Sequence, residues 1–408
     1  MVQAVRPEAV MVEAVRVQAA KLVDVPPSRV PNPYHFGAPA EEVHFTDRLE
    51  QLARLKAVML NGQNLILIAP RRYGKTSLLL AAEREVRQAG GRTGKVSLIK
   101  CASEKDVAEV LMKGVIGGPL GRLRGHMEEL AQHISRLRVR PTVKFSDSGT
   151  LESLSFGSDV ADVNWREVIS DVIRILNDIA QHDQDKPVSL ILDEFQKVYE
   201  INPLLADVFK DLVDEMPRVS LVFAGSKRHL MELMVSDSAR GALYNVGAKL
   251  YLGKISQEDF APYLQRQAER GGKVMSAGVA ERIYDAAAGI PNDVQLLAFW
   301  SFECAPESDI DEAVVHRAVR SAVGDQKEEF EEVFSKLALT QQRLLKYIGA
   351  HHTTAITGTA VQAAVGVSHT SARAAAEVLQ RAQLIQQEDG VWILSSGLLR
   401  EWLSGDYD

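Results

Sequence analysis

Through the first 255 residues, short unbroken apolar runs alternate with longer amphipathic stretches. Leu65-Ile66-Leu67-Ile68, Val188–Asp193 (VSLILD) and Val219–Gly225 (VSLVFAG) have the length and apolar continuity of buried strands. Residues 95–100, carrying Val96, Leu98 and Ile99, and residues 249–252 add two weaker strands. Between them, Leu49, Leu52, Leu55 and Met59 recur at helical spacing, with Thr46 or Asp47 as the cap. Residues 165–179 read as a further amphipathic helix. Strands alternating with helices in this way predict an α/β fold, a parallel sheet covered by helices on both faces.

From Ser256 the pattern turns helical. Ser256-x-x-Asp259 caps a first helix, and helical periodicity then runs to about residue 337, interrupted at Gly289-Ile290-Pro291. Beyond residue 339, Thr340 caps a helix through Leu344, Leu345 and Ile348, and helices follow over 359–365 and 368–382. Leu384-Ile385-Gln386-Gln387 and Val391-Trp392-Ile393-Leu394 then flank Asp389-Gly390, a hairpin signal. Three helices and a hairpin predict a winged helix. Residues 103–186 are long for one connection between core strands. They read as a helical stretch to about residue 137, then a hairpin of 139–145 and 151–156 around Asp147-Ser148-Gly149. Lys113, Arg122, Arg124, Arg136, Arg138, Arg140 and Lys144 make this insert basic, as either a solvated face or a contact for a partner or nucleic acid. The expected organisation is an extension over 1–30 ending in Pro26 and Pro27, a core over 31–255 with that insert, a helical segment over 256–336, and the winged helix over 337–408.

Composition narrows the class. Of 408 residues, 46% are apolar and 25% charged, the balance of a soluble globular protein. A net charge of −7 argues against non-specific nucleic-acid binding by the whole surface. Two cysteines, Cys101 and Cys304, form neither a disulfide framework nor a zinc spacing, so a reducing cytoplasm is expected. No apolar run is long enough to span a membrane, and Glu8, Glu13 and Arg16 interrupt any secretory signal.

The chemistry gathers at NLILIAPRRYGKTSLLL. Strand 65–68 runs into Ala69-Pro70-Arg71-Arg72-Tyr73-Gly74, and Lys75, Thr76 and Ser77 open a helix. That order suits a phosphate-binding loop, because the first turn of a helix offers N–H donors and the positive end of its dipole. Gly74 keeps side chains away from phosphate oxygens, Lys75 reaches the β- and γ-phosphates, and the Thr76 hydroxyl is a ligand for Mg²⁺. Ala69 stands where the pattern G-x-x-x-x-G-K-[ST] has glycine, which requires a negative φ there. An ordinary strand-to-helix turn is the competing reading. Asp193 and Glu194 end an apolar strand, where one acid holds Mg²⁺ through water and the other activates the attacking water. Ser226, ending the next strand, is a candidate sensor of the γ-phosphate.

The segments NPYHFGAPA, FTDR, APRRYGKTSLLL, LILDEFQKV, LVFAGS and GIPNDVQLL recur in this order in the archaeal-type ATPases. The chain resembles that family, of the AAA+ and STAND branch of P-loop NTPases, over roughly residues 32–403, and more distantly the origin-recognition ATPases. The resemblance implies an ATP-binding core with Glu194 as catalytic glutamate, a helical lid over 256–336 with Pro291 near the adenine, and a C-terminal winged helix. It implies ATP or ADP and Mg²⁺ as ligands, a protein partner, weak DNA binding, no membrane, and a nucleotide-dependent homo-oligomer with Arg240 as an arginine finger. A slow-hydrolysing signalling switch and a DNA-associated loader are its alternatives. The chain departs from its relatives at Ala69, at Tyr244-Asn245-Val246-Gly247, which lacks an expected arginine, and at Asn292-Asp293, where initiators carry a sensor arginine.

Overall fold

Three predominantly apolar runs become three adjacent strands, each buried along its whole length even at Ser189, Asp193 and Ser220. The computed structural model describes residues 31–39, 47–117, 141–145, 151–156, 163–182, 184–236, 241–305 and 309–405. The chain divides into two compact units, one from Pro39 to Ile255, the other joining the residues up to Ala38 with Ser256 onward.

In the first unit the order is α1 (Leu49–Leu60), β1 (Leu65–Ile68), α2 (Lys75–Gln88), β2 (Arg92–Ser97), α3 (Glu104–Gly117), β3 (Pro141–Phe145), β4 (Leu151–Phe156), α4 (Trp165–His182), β5 (Val188–Asp193), α5 (Gln196–Ile201), α6 (Leu205–Glu215), β6 (Val219–Gly225), α7 (Arg228–Val235) and β7 (Ala248–Tyr251). A five-stranded parallel sheet has the order β2-β5-β6-β1-β7. Side chains alternate across it, as strand geometry requires. Ile66, Ile68, Leu190, Leu192, Leu221 and Phe223 face α3, α4 and α6. Leu65, Leu67, Ile191, Val222 and Leu250 face α1 and α2. Phe195, Phe209 and Phe223 meet edge to face at centroid distances of 5.0, 4.8 and 6.3 Å, which anchors the end of β5 to α6 and β6. The insert carries the antiparallel pair β3–β4. Its basic residues Arg122, Arg124, Arg136, Arg138 and Arg140 lie outside the described residues.

Several local expectations need correcting. Strand β2 spans 92–97, not 95–100. The Gly90 turn (φ +88°) ends the preceding connection early, and Arg92 N–H bonds Pro187 O at 2.7 Å, so pairing with β5 starts there. Strand β7 is displaced by one residue, to 248–251. Helix α1 has no side-chain cap. Asp47 and Arg48 take left-handed conformations (φ 54° and 70°), and the buried Arg48 guanidinium donates to Gly253 O. Thr46 lies outside the described residues. Leu49, placed on the buried face by its spacing, is 75% exposed. Thr340 is no cap, because that helix starts at Leu339; the side-chain Oε1 of Gln341 accepts from Ala338 N–H at 2.9 Å instead.

The second unit contains α8 (Gln257–Arg270), β8 (Val274–Met275), α9 (Ala277–Ala286), α10 (Pro291–Glu303), β9 (Asp309–Ile310), α11 (Glu312–Ser335), α12 (Leu339–Ala350), α13 (Thr359–Val365), α14 (His369–Arg381), β10 (Ile385–Glu388), β11 (Val391–Leu394) and α15 (Gly397–Ser404). Ser256, Ser276, Asp311, Ser368 and Ser396 cap their helices through side-chain oxygens. Residues 31–38 are strapped to this unit: Asn32 Nδ2 donates to Phe299 O, Tyr34 Oη to Leu264 O at 2.6 Å, and Gly37 N–H to Asn292 Oδ1 at 3.1 Å. Helix α15 is joined tightly to α9 and α10. Ser396 Oγ donates to Asp293 Oδ2 at 3.2 Å, and Arg400 Nη2 donates to Asp285 O. A Cβ on Gly397 would lie 2.3 Å from the Ala287 carbonyl carbon, so only glycine permits this approach.

Candidate active site

Strands β5, β6 and β1 are parallel neighbours, so the residues following them emerge along one edge of the sheet. After β1, Ala69 N–H bonds Gly225 O at 3.1 Å and extends the ladder by one residue. Ala69 is not among the positive-φ residues, so it meets the condition its position sets. Pro70 is half-buried, Arg71 and Arg72 are exposed, and Tyr73 is buried at 1% exposure. Two residues turn the loop through left-handed conformations, Arg72 (φ 70°) and Gly74 (φ 83°). A Cβ on Gly74 would touch nothing within 4 Å, so within this chain the glycine serves conformation rather than space. Lys75, Thr76 and Ser77 form the first turn of α2, and Leu78 N–H closes it on Gly74 O at 3.0 Å.

Lys75 is 6% exposed, and its ammonium meets both acids at the end of β5. It donates to Asp193 Oδ1 and, at 2.7 Å, to Glu194 Oε1. Lys95, on β2, approaches Asp193 Oδ2 at 3.2 Å. Two cations and two carboxylates therefore share a small buried volume, where each charge depends on the others. Glu194 has a left-handed backbone (φ 58°) that turns the chain off the strand, and Phe195 N–H then bonds Ala224 O at 2.8 Å. Glu194 Oε2 accepts from Ser226 Oγ at 2.7 Å and Gln196 Nε2 at 2.5 Å. Burial pushes the Glu194 carboxyl up, but Lys75, Ser226 and Gln196 outweigh it and hold it below the ordinary glutamate range. It is an ionised carboxylate at neutral pH.

Lys75, Thr76, Asp193, Glu194 and Ser226 are thus brought to one edge. Arg240 lies outside the described residues. Pro291 belongs to the second unit, as the first residue of α10, and its assignment to the adenine rests on the resemblance alone. Sequence reasoning missed Gln196 and Lys95. Gln196 had a signal, as an amide two residues beyond the strand-end acids. Lys95 had none, because its approach to Asp193 follows from the pairing of β2 with β5.

Among the described residues, no group of three or more His, Cys, Asp or Glu side chains makes a self-sufficient metal site. Of the hydroxyls and carboxylates at the loop and strand end, Thr76 and Asp193 are the pair that the phosphate-loop pattern would turn to a metal. Few hard oxygen donors beside a phosphate loop fit Mg²⁺, which keeps waters and substrate oxygens as its remaining ligands.

A scan against protein-family models finds no match, and no curated protein matches the chain in sequence. Solved structures do match. A Walker-type ATPase of Pyrococcus abyssi aligns over 91% of this chain and 99% of its own, with a TM-score of 0.63 and 15% identity. The ORC2 protein of Aeropyrum pernix in its ADP form aligns over 92% and 97%, with a TM-score of 0.49 and 13% identity. The RuvB Holliday junction branch migration motor of Thermotoga maritima aligns over 91% and 98%, with a TM-score of 0.41 and 14% identity. Such identities speak to fold. Sheet order, the loop between β1 and α2, and the first of these neighbours define a P-loop NTPase fold of the AAA+ kind.

Proposed function

We propose that the chain is a Mg²⁺-dependent ATPase of the AAA+/STAND type that couples nucleotide state to a protein partner in the cytoplasm. The observation that carries this reading is the convergence of Lys75 with Asp193 and Glu194 at the mouth of a phosphate-binding loop. In this reading the loop from Ala69 to Ser77 cradles the phosphates, and Lys75 leaves the two acids for the β- and γ-phosphates. Thr76 and Asp193 hold Mg²⁺, which when bound neutralises charge on those phosphates. Glu194 takes a proton from the attacking water, and Ser226 stands beside it. Burial pushes the Cys101 thiol up to about 11 and raises Cys304 as well, which disfavours the thiolate at both.

The slow-switch alternative has one observation in its favour. Both Glu194 oxygens are already engaged, so activation of water requires Lys75 to let go first. For the second unit we read α12–α14 and the β10–β11 hairpin as a winged helix that chiefly serves a protein partner. On α14, Arg373 is already paired with Glu377 at 3.3 Å, and the hairpin turn carries Glu388 and Asp389, which favours weak DNA binding. Arg240 remains the candidate finger toward a second copy of the chain.

Turnover and binding separate the roles. Glu194→Gln is expected to retain ATP while slowing phosphate release by about 10²-fold or more. Phosphate release near the wild-type rate in a variant that binds ATP would remove Glu194 as the base.

A further inference from the structure

Gln196 has no role in the reading above, yet it is the most constrained amide at the site. It opens α5, two residues beyond Glu194, and is 1% exposed. Its Nε2 donates to Glu194 Oε2 at 2.5 Å and approaches Ser226 Oγ at 3.5 Å. Its Oε1 accepts from the Ser226 N–H at 3.3 Å. A flipped amide would set Oε1 against the glutamate carboxylate and its NH₂ against a backbone donor, so the network permits one orientation. Space is limited too: a Cβ on Gly225 would lie 2.7 Å from Gln196 Oε1 and 2.4 Å from Met231 Sδ. The side chain therefore bridges the ends of β5 and β6 and is held at both its polar atoms.

The two oxygens of Glu194 consequently differ. Oε2 carries two neutral donors that belong to the fold. Among the described residues, Oε1 meets only the Lys75 ammonium, which is the group that the phosphates of a nucleotide would attract. We infer that Gln196 is a positioning residue: with Ser226 it locks Glu194 Oε2, so that Oε1 alone is released to take the proton of the attacking water. The inference rests on the ATPase reading. In that step the water oxygen bonds to the γ-phosphorus, and the bond from phosphorus to the β-bridging oxygen breaks with its electron pair leaving on ADP. The water's proton passes to Oε1 and from there to solvent. An amide suits this task because it fixes the carboxylate without adding a charge that would compete with Lys75.

The charged groups facing Glu194 are Lys75 from α2 and Asp193 from β5, with Lys95 of β2 reaching it through Asp193. The test is steady-state ATP hydrolysis across pH, with titration of a fluorescent ATP analogue, on the full chain. Gln196→Ala is expected to hold analogue affinity within about 3-fold while kcat falls about 10-fold or more. The acid limb of the kcat–pH profile moves to higher pH, because loss of a donor raises the pKa of the carboxylate. Gln196→Glu, of nearly equal volume, moves that limb further by adding a like charge, and Ser226→Ala moves it in the same direction. These two variants carry the test if the alanine variant does not fold.

An unchanged kcat in Gln196→Ala, or affinity and kcat falling together with an unmoved limb, would mean a merely structural amide and overturn the inference. A wild-type chain that binds the analogue but never releases phosphate would instead overturn the ATPase reading, and the positioning role with it.

Discussion

Lys75 and Lys273 are both nearly inaccessible, at 6% and 7% exposure, and each unit holds one of them. Lys75 sits at the N-terminus of α2, the end of a helix where the dipole disfavours a cation. It is kept there by two carboxylates, Asp193 and Glu194, both on side chains. Lys273 sits at the opposite kind of end. Its ammonium donates to Phe302 O and, at 2.7 Å, to Ala305 O, at the C-terminus of α10, and lies 3.8 Å from the centre of the Phe302 ring. Dipole, carbonyls and ring all favour a cation there. The contrast separates a lysine held by exchangeable partners from one held by the backbone. A phosphate can replace a carboxylate opposite Lys75, whereas nothing can replace the end of a helix opposite Lys273.

Substitution by methionine tests this most directly, since it keeps the stem and removes the charge. Lys75→Met leaves two buried carboxylates with Lys95 the one other cation paired to them among the described residues, so a loss of about 3–5 kcal/mol in folding stability is expected, together with loss of ATP binding. Denaturant unfolding and analogue titration measure the two effects. Lys273→Met is expected to cost about 2–3 kcal/mol, from two weakly satisfied carbonyls, and to leave ATP affinity unaltered. If Lys273→Met abolished ATP binding, the division between the two lysines would fail.

Acidification probes the first site again, with a smaller effect. The folded pKa of Glu194 is depressed. Its contribution to stability is therefore present above the unfolded glutamate value of about 4.3 and is lost as pH falls through the lower folded value. Wild-type stability should drop more steeply than that of Glu194→Gln as pH falls below the unfolded glutamate value of about 4.3, as read from melting temperatures along an acid titration. The smallest effect is at the surface. Arg373 pairs with Glu377 across one exposed turn of α14, so Arg373→Ala should change stability by less than about 1 kcal/mol. Duplex DNA binding at low salt should stay weak in both proteins. A steep salt dependence that vanishes in the variant would bring the second unit closer to the first as a site in its own right.

Central strands could be read from the chain because burial on both faces makes the apolar run and the strand the same object. That holds for β1, β5 and β6, whose observed bounds equal their apolar runs. Edge strands follow their partners instead: β2 starts at Arg92 because Pro187 and Val188 are there to pair with it. Caps misled where backbone geometry overruled residue type, since Arg48 in a left-handed conformation removes the capping position from Asp47. At the site, Lys75, Thr76, Asp193, Glu194 and Ser226 were legible because each follows or ends a recognisable strand. The left-handed turn at Glu194, which returns Gln196 toward Ser226, has no counterpart in residue type and appears only with the fold.

The close approach of Gly397 to Ala287 has a mechanical consequence. Ser396 and Arg400 bind the same two helix ends that Gly397 packs between, so α15 has no slack against α9 and α10. Helix α15 in turn packs on α11 and α12, and it follows β11 by two residues and touches it directly. The hairpin turn at Asp389-Gly390 is thus tied to the ends of α9 and α10 through one short helix. Gly397→Ala would push α15 off the Ala287 carbonyl and strain the two hydrogen bonds beside it.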